Sequence, residues 1–230
     1  LAESHPRSVR LGSAGASAQG RDLPTVLLAE GGRWRPERPT LMLVAHQHGN
    51  EPAPGEAMLV LLERWAAPES AALLKRVNVV ALPRANPDGA AAFKRVGSDG
   101  TDINRDHLLL RTPEARAMAA VATRYRPQVV LDMHEFTAGE RWIKKFGGWT
   151  STDVMLQSAM TGNLSPEIAH AGLDVFLPAI RRAVQAEGLR DDWYNTTSAD
   201  PQSPVAMGGV QPDTWRNIGG LRNAVSILHE

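Results

Sequence analysis

Several short apolar runs, each ending in a polar segment, constrain this chain more than any other feature. Thr40–Ala45 (TLMLVA), Val77–Leu82 (VNVVAL), Val129–Met133 (VVLDM) and Asn223–Leu228 (NAVSIL) are too short for typical helices and suit buried strands. Leu23–Ala29 (LPTVLLA) is a further strand candidate, closed by Gly31-Gly32. Between them lie helical signals. Met58, Leu59, Leu61, Leu62 and Trp65 recur at helical spacing over Gly55–Ala66, and Thr112 caps a helix with Pro113 at its first position, running to about Tyr125. Helical patterns also cover Thr152–Ala171 and Ala179–Glu187. Strands alternating with helices predict an α/β fold with a mostly parallel or mixed twisted central sheet and helices on both faces.

Ligands of open α/β sheets sit beyond the carboxyl ends of strands. The polar segments after Ala45, Leu82, Met133 and Leu228 are therefore the places to look for chemistry. Arg84–His107 is long and has no persistent periodicity, with Asn86-Pro87-Asp88-Gly89 and Gly97-Ser98-Asp99-Gly100 reading as turns. A loop of that length is expected to be functional. Glu135–Ser151 and Arg190–Trp215 also read as loops.

Composition narrows the function classes. The 230 residues fit one α/β domain over 1–230, and 25 basic against 25 acidic residues, without a basic run, give no footprint for nucleic acid. No run approaches a membrane span. With no cysteine in the chain, a bound metal must be held by nitrogen and oxygen donors. The compartment stays open, with a periplasmic or secreted location favoured over the cytoplasm. Neither a serine-nucleophile elbow nor a glycine-rich phosphate loop is present.

The candidate metal donors are His48 and Glu51, three apart in His-Gln-His-Gly-Asn-Glu-Pro, with His134 at the end of the Val129–Met133 strand; on their own residues the pair also reads as solvated loop side chains and His134 as a capping histidine. Two imidazoles and a carboxylate suit zinc and leave a fourth position for water. His46 could replace His48, which makes His-Gln-His an alternative two-histidine binder.

These residues resemble the zinc carboxypeptidase family, in a bacterial-type form. The matching pieces stand in order: His48-Gly49-Asn50-Glu51, Asn86-Pro87-Asp88-Gly89, Asp102-Ile103-Asn104-Arg105-Asp106, Asp132-Met133-His134, and Leu221 to Glu230 (LRNAVSILHE). The resemblance implies one zinc ion held by His48, Glu51 and His134, with Asp102 accepting a hydrogen bond from the far nitrogen of His48. It implies that Asn104 and Arg105 bind the substrate's terminal carboxylate, that Arg95 stabilises the oxyanion, and that Glu230 is general base and acid. On its own residues, Asp102 also reads as a turn residue beside Gly100, and Lys94 stands next to Arg95.

The implied activity is hydrolysis of an amide bond next to a free carboxylate, on a peptide or an acyl-amino acid. The alternatives are an amidase or deacylase acting on cell-wall peptides or acylated amino acids, or a noncatalytic protein that kept the zinc fold. Three departures from the family stand out. The family continues beyond its catalytic glutamate, so a C-terminal tail is expected to follow Glu230. Only Tyr125 and Tyr194 are present to supply its substrate-closing tyrosine, and Glu135-Phe136 follows His134. Glu135 could bond within the pocket, repel acidic substrates or contact the metal. The specificity pocket is expected between Thr196 and Trp215, around Met207-Gly208-Gly209.

Overall fold

The computed structural model describes residues 1–230. In chain order the strands are β1 (Val9–Ala16), β2 (Asp22–Leu28), β3 (Thr40–Ala45), β4 (Asn78–Leu82), β5 (Val129–Met133), β6 (Val154–Ser158), β7 (Asp191–Trp193) and β8 (Val225–His229). The helices are α1 (Ala53–Ala66), α2 (Ala71–Leu74), α3 (Pro87–Ala92), α4 (Pro113–Tyr125), α5 (Glu140–Phe146), α6 (Pro166–His170), α7 (Leu177–Ala186) and α8 (Trp215–Leu221). A π-helical stretch, Ala171–Phe176, joins α6 to α7. None of the helices is long and apolar enough to cross a membrane.

The strands form one sheet in the order β1-β2-β4-β3-β5-β8-β6-β7. Its centre, β4-β3-β5-β8, is parallel; β2 joins β4 and β6 joins β8 in the antiparallel sense. The expected mixed α/β sheet is therefore what forms. Both faces of β3 are buried, which explains why it reads as a continuous apolar run. Leu43 and Ala45 pack with Met58 and Leu62 of α1, whereas Met42 and Val44 pack with Met118 and Val121 of α4 and with Trp215.

The chain lays β4 on one side of β3 and then β5 on the other. The loops leaving β3 and β5 therefore separate above the sheet and open a crevice between them. Ala45 pairs with Met133, and Met133 with His229, so the residues that follow these three leave the sheet side by side.

Several expectations are corrected. Thr152–Ala171 is not one helix. Val154–Ser158 is a strand, buried along its length because it pairs with β8, and helix begins only at Pro166 behind the Ser165 cap. Its last two residues, Gln157 and Ser158, are polar yet buried, which hid the strand's apolar character. Asn86-Pro87-Asp88-Gly89 opens α3 rather than making a free turn, with the Asn86 side chain accepting from Gly89 N–H. The Glu135–Ser151 segment contains α5, and Arg190–Trp215 contains β7. β1 had no periodic signal, since it is an edge strand with most of its residues outside the core.

Candidate active site

His48 and Glu51 stand on the turn that leaves β3, and Glu51 N–H bonds back to the His48 carbonyl at 3.2 Å. The turn rests on α3. Asn86 donates from its amide to the Gln47 carbonyl at 3.0 Å, and Gly49 N–H bonds to the Arg95 carbonyl at 3.3 Å. Glycine at position 49 is a packing requirement. A Cβ there would lie 1.9 Å from the Gly89 carbonyl carbon, so no side chain fits between the turn and α3. The Asn-Pro-Asp-Gly segment is thus a buttress for the turn that carries the donors.

Three donor groups converge. His48 Nδ1 is 2.8 Å from Glu51 Oε1, His134 Nδ1 is 2.9 Å from Glu51 Oε2, and the two Nδ1 atoms are 3.1 Å apart. All three residues are buried, and their ligand atoms lie within 4.8 Å of one another. Two imidazole lone pairs and a carboxylate aimed at one point suit a divalent cation, and the donor set fits zinc. Burial pushes the Glu51 carboxyl up, but hydrogen bonds from His134 and His48 outweigh it and hold it at about 2.

The far nitrogen of each ring faces a carboxylate. Asp102 Oδ1 lies 3.3 Å from His48 Nε2 while also accepting from Asn104 N–H at 3.0 Å, so the two readings of Asp102 coexist. His134 Nε2 lies 3.0 Å from Asp132 Oδ1. Asp132 is two residues before His134, and strand alternation puts both on one side of the sheet. Gln47 donates to the same Asp132 oxygen at 2.5 Å and is met through its own oxygen by His107 Nε2 at 2.7 Å. With Nδ1 committed to a metal, each Nε2 must carry the proton, and these carboxylates favour that tautomer.

Arg95 closes one side. Its Nε donates to Asp102 Oδ2 at 3.1 Å, and its Nη1 lies 3.5 Å from Glu51 Oε1. Glu230 follows β8 and is held in register by paired backbone bonds to Met155. It lines a cavity of about 300 Å³ together with His48, His134, Arg95, Asn104 and Arg105. It also borders a second cavity of about 300 Å³ with Glu51, Glu135 and Trp142. Burial raises the Glu230 carboxyl to about 7, with His134 opposing the shift and Glu51 adding to it. A group poised there can both take and return a proton near neutral pH.

A model of the family described as "Zinc carboxypeptidase" matches residues 1–145, more than half of the chain. The chain belongs to the zinc carboxypeptidase family. It is 34% identical over 187 residues to carboxypeptidase 2 of Trichophyton rubrum, a match covering 80% of this chain and 35% of that protein. Its fold is similar to a metallo-carboxypeptidase from Burkholderia cenocepacia (TM-score 0.75, 16% identity, 99% of this chain and 56% of that one). It is also similar to a metallo-carboxypeptidase from Pseudomonas aeruginosa (TM-score 0.71, 22% identity, 97% of this chain and 55% of that one). The chain spans about a third of the length of the curated relatives it matches and just over half of these solved chains.

Within the zinc carboxypeptidase frame, the eight residues singled out from the sequence come together at one end of the sheet. The Asn104 amide oxygen accepts from Trp215 N–H at 2.8 Å; its nitrogen lies 3.1 Å from His134 Nε2, which is itself a donor in the metal-binding tautomer, so that side of the amide has no acceptor there. His46 does not replace His48. At a φ of 60° its backbone turns the ring aside, and Nε2 pairs with the Gly49 carbonyl at 3.2 Å.

Glu135 is not among the converging donors; its carboxylate accepts from Ala53 N–H at 3.1 Å, at the positive end of α1. Tyr125 stacks edge-on against Trp34, away from the site. Tyr194 borders both cavities, and burial together with Glu230 raises its hydroxyl to about 12.

The sequence reading missed Arg216, Gln47 and His107. Arg216 reaches the cavity from the first turn of α8. The Thr214 cap was a usable signal for the start of that helix, but nothing in the sequence says which way the arginine points.

Proposed function

We propose that this chain carries the catalytic centre of a zinc-dependent carboxypeptidase, which hydrolyses the amide bond next to a free carboxylate. The observation that carries this reading is Glu230. A noncatalytic binding domain has no need of a carboxylate at the metal cluster, yet Glu230 shares one cavity with His48, His134, Arg95 and Arg105.

His48, Glu51 and His134 would hold the zinc ion, which supplies Lewis-acid polarisation and makes water acidic enough to attack at neutral pH. Glu230 takes the proton of the attacking water and delivers it to the leaving nitrogen. Arg95 is half-exposed beside the donors and presents its guanidinium to the developing oxyanion. Arg105 lines the cavity and is partly exposed, free to grip the terminal carboxylate. Asn104 lines the same cavity with its oxygen held by Trp215 N–H, and its amide nitrogen, which cannot donate to a protonated His134 Nε2, is left to bond the same terminal carboxylate.

The test uses the zinc-loaded protein with N-acyl dipeptides and their C-terminal amides. Cleavage of the free acids, at rates at least about tenfold above the amides, is the expected result. Equal cleavage of both would remove Arg105's role, and cleavage of neither would remove the proposed activity. Acylated single amino acids in the same panel separate a peptidase from a deacylase.

A further inference from the structure

The cavity beside the metal donors carries more positive charge than its own carboxylates balance. Three guanidiniums line it, those of Arg95, Arg105 and Arg216. Arg95 is paired with Asp102 at 3.0 Å and lies near Glu51. Arg105 donates to the Asn104 carbonyl and has no carboxylate within ion-pair range. Arg216 is more deeply committed. Only 4% exposed, it makes one hydrogen bond, from Nη2 to the Gly209 carbonyl at 3.0 Å, and its Nε has no partner at all. Asp132 is the carboxylate whose field reaches it most strongly, but Asp132 is held by Gln47 and His134 and forms no ion pair with it. A desolvated guanidinium with a single carbonyl acceptor and no carboxylate partner is costly in a finished protein. Here it borders an open cavity, where a ligand could supply what the protein does not.

The surroundings orient it. Gly209 is tied to α8 by Arg216 and by Asn217 Nδ2 at 2.9 Å, and Tyr194 lies over the guanidinium with its ring centroid 5.9 Å away. The neighbouring wall is built from small or polar residues, among them Ala206, Gly208 and Thr214. Gly208 is at φ +78°, and a Cβ there would come within 2.3 Å of the Gln157 amide, so this wall stays flat. Such a pocket suits a short polar side chain. A basic one would oppose Arg216, and a large apolar one would leave it desolvated and unpaired.

Resting on the carboxypeptidase reading above, we propose that Arg216 is a specificity-determining residue that binds a second carboxylate of the substrate. The preferred leaving residue is then dicarboxylic, an aspartate or a glutamate. A neutral terminal residue brings one carboxylate to Arg105 and Arg216, whereas a dicarboxylic one brings one to each.

The experiment compares N-acyl dipeptides ending in Glu, Asp, Gln, Leu and Lys on the zinc-loaded protein, for the wild type, Arg216→Gln and Arg216→Lys. Calorimetric titration with N-acetylglutamate and N-acetylglutamine supplies a readout independent of turnover. The expected wild-type preference for Glu over its isostere Gln is about tenfold or more, the scale of a charge-assisted hydrogen bond. Arg216→Gln is expected to bring that ratio near one, and Arg216→Lys to keep part of it. A wild-type ratio near one, in cleavage and in binding, overturns the inference while leaving the hydrolase reading intact. So does an Arg216→Gln variant that loses activity equally on Glu and Gln, because Arg216 would then grip the terminal carboxylate that all these substrates share. Absence of any cleavage strikes the hydrolase reading, and the calorimetric ratio still decides the role of Arg216. Should Arg216→Gln fail to fold, the wild-type ratio and Arg216→Lys suffice.

Discussion

Zinc affinity should depend on pH with a slope set by His134. In the metal-free protein this ring lies between two carboxylates, Glu51 at 2.9 Å from Nδ1 and Asp132 at 3.0 Å from Nε2. Burial alone would lower its pKa, but the two carboxylates win and raise it well above 6.5. The ring is therefore protonated at neutral pH until a metal arrives, and coordination needs the Nδ1 lone pair, so binding expels that proton. The sign follows directly. Raising the pH removes the competing proton, and affinity climbs about tenfold per pH unit, or about 1.4 kcal/mol, up to the raised pKa. Glu51, held at about 2, contributes no slope in this range. Between pH 5.5 and 7 the dissociation constant should fall by up to about thirtyfold from this one group. Competition with a chromophoric chelator across that range measures it, and calorimetry in two buffers of different ionisation heat counts the proton. Asp132→Asn should make the slope level off at lower pH. An affinity that stays flat between pH 5.5 and 7, or a count of zero protons, would refute the argument.

Four further outcomes are expected. Glu230→Gln should keep its zinc, measured by atomic absorption, and lose about 10²- to 10⁴-fold in kcat. In the wild type, kcat/KM should rise with pH to an acid limb at or below about 7, because zinc lowers the value of about 7 that burial gives this carboxyl. Gly49→Ala, whose Cβ would meet the α3 backbone, should destabilise the protein by about 1–3 kcal/mol in denaturant melts and weaken zinc binding as the turn is displaced. Asp102→Asn should weaken zinc about 10- to 100-fold by removing the partner of His48 Nε2, and should also free Arg95.

How much of this was legible depended on whether a residue's role is set locally. The strands β3 and β5 and helix α4 were readable to the residue, because apolar runs, the Thr112 cap and Pro113 act within a few positions. β6 was not readable, since its partner is β8 and its buried polar end, Gln157-Ser158, takes its meaning from that pairing. The metal donors were legible through their types and order. Arg216 was not, because its significance is the lack of a carboxylate partner, and partners are known only once α8 is docked against the cavity.

The convergence itself follows from sheet order and register. His48, His134 and Glu230 are far apart in the chain, yet each leaves one of three adjacent parallel strands, β3, β5 and β8. Pairing of Ala45 with Met133, and of Met133 with His229, brings the three exits level. Alternation along β5 then sends Met133 into the α1 core, while Asp132 and His134 share the other side, where carboxylate meets imidazole. A one-residue slip of β5 would exchange these faces, bury Asp132 and His134 against α1, and leave His48 and Glu51 without a third donor. The apolar pattern that fixes the core therefore fixes the metal cluster as well. A core substitution such as Met133→Asp, which forces an unpaired carboxylate into the α1 core and loosens the β5 pairing, should weaken zinc binding, measured by chelator competition, without touching a donor.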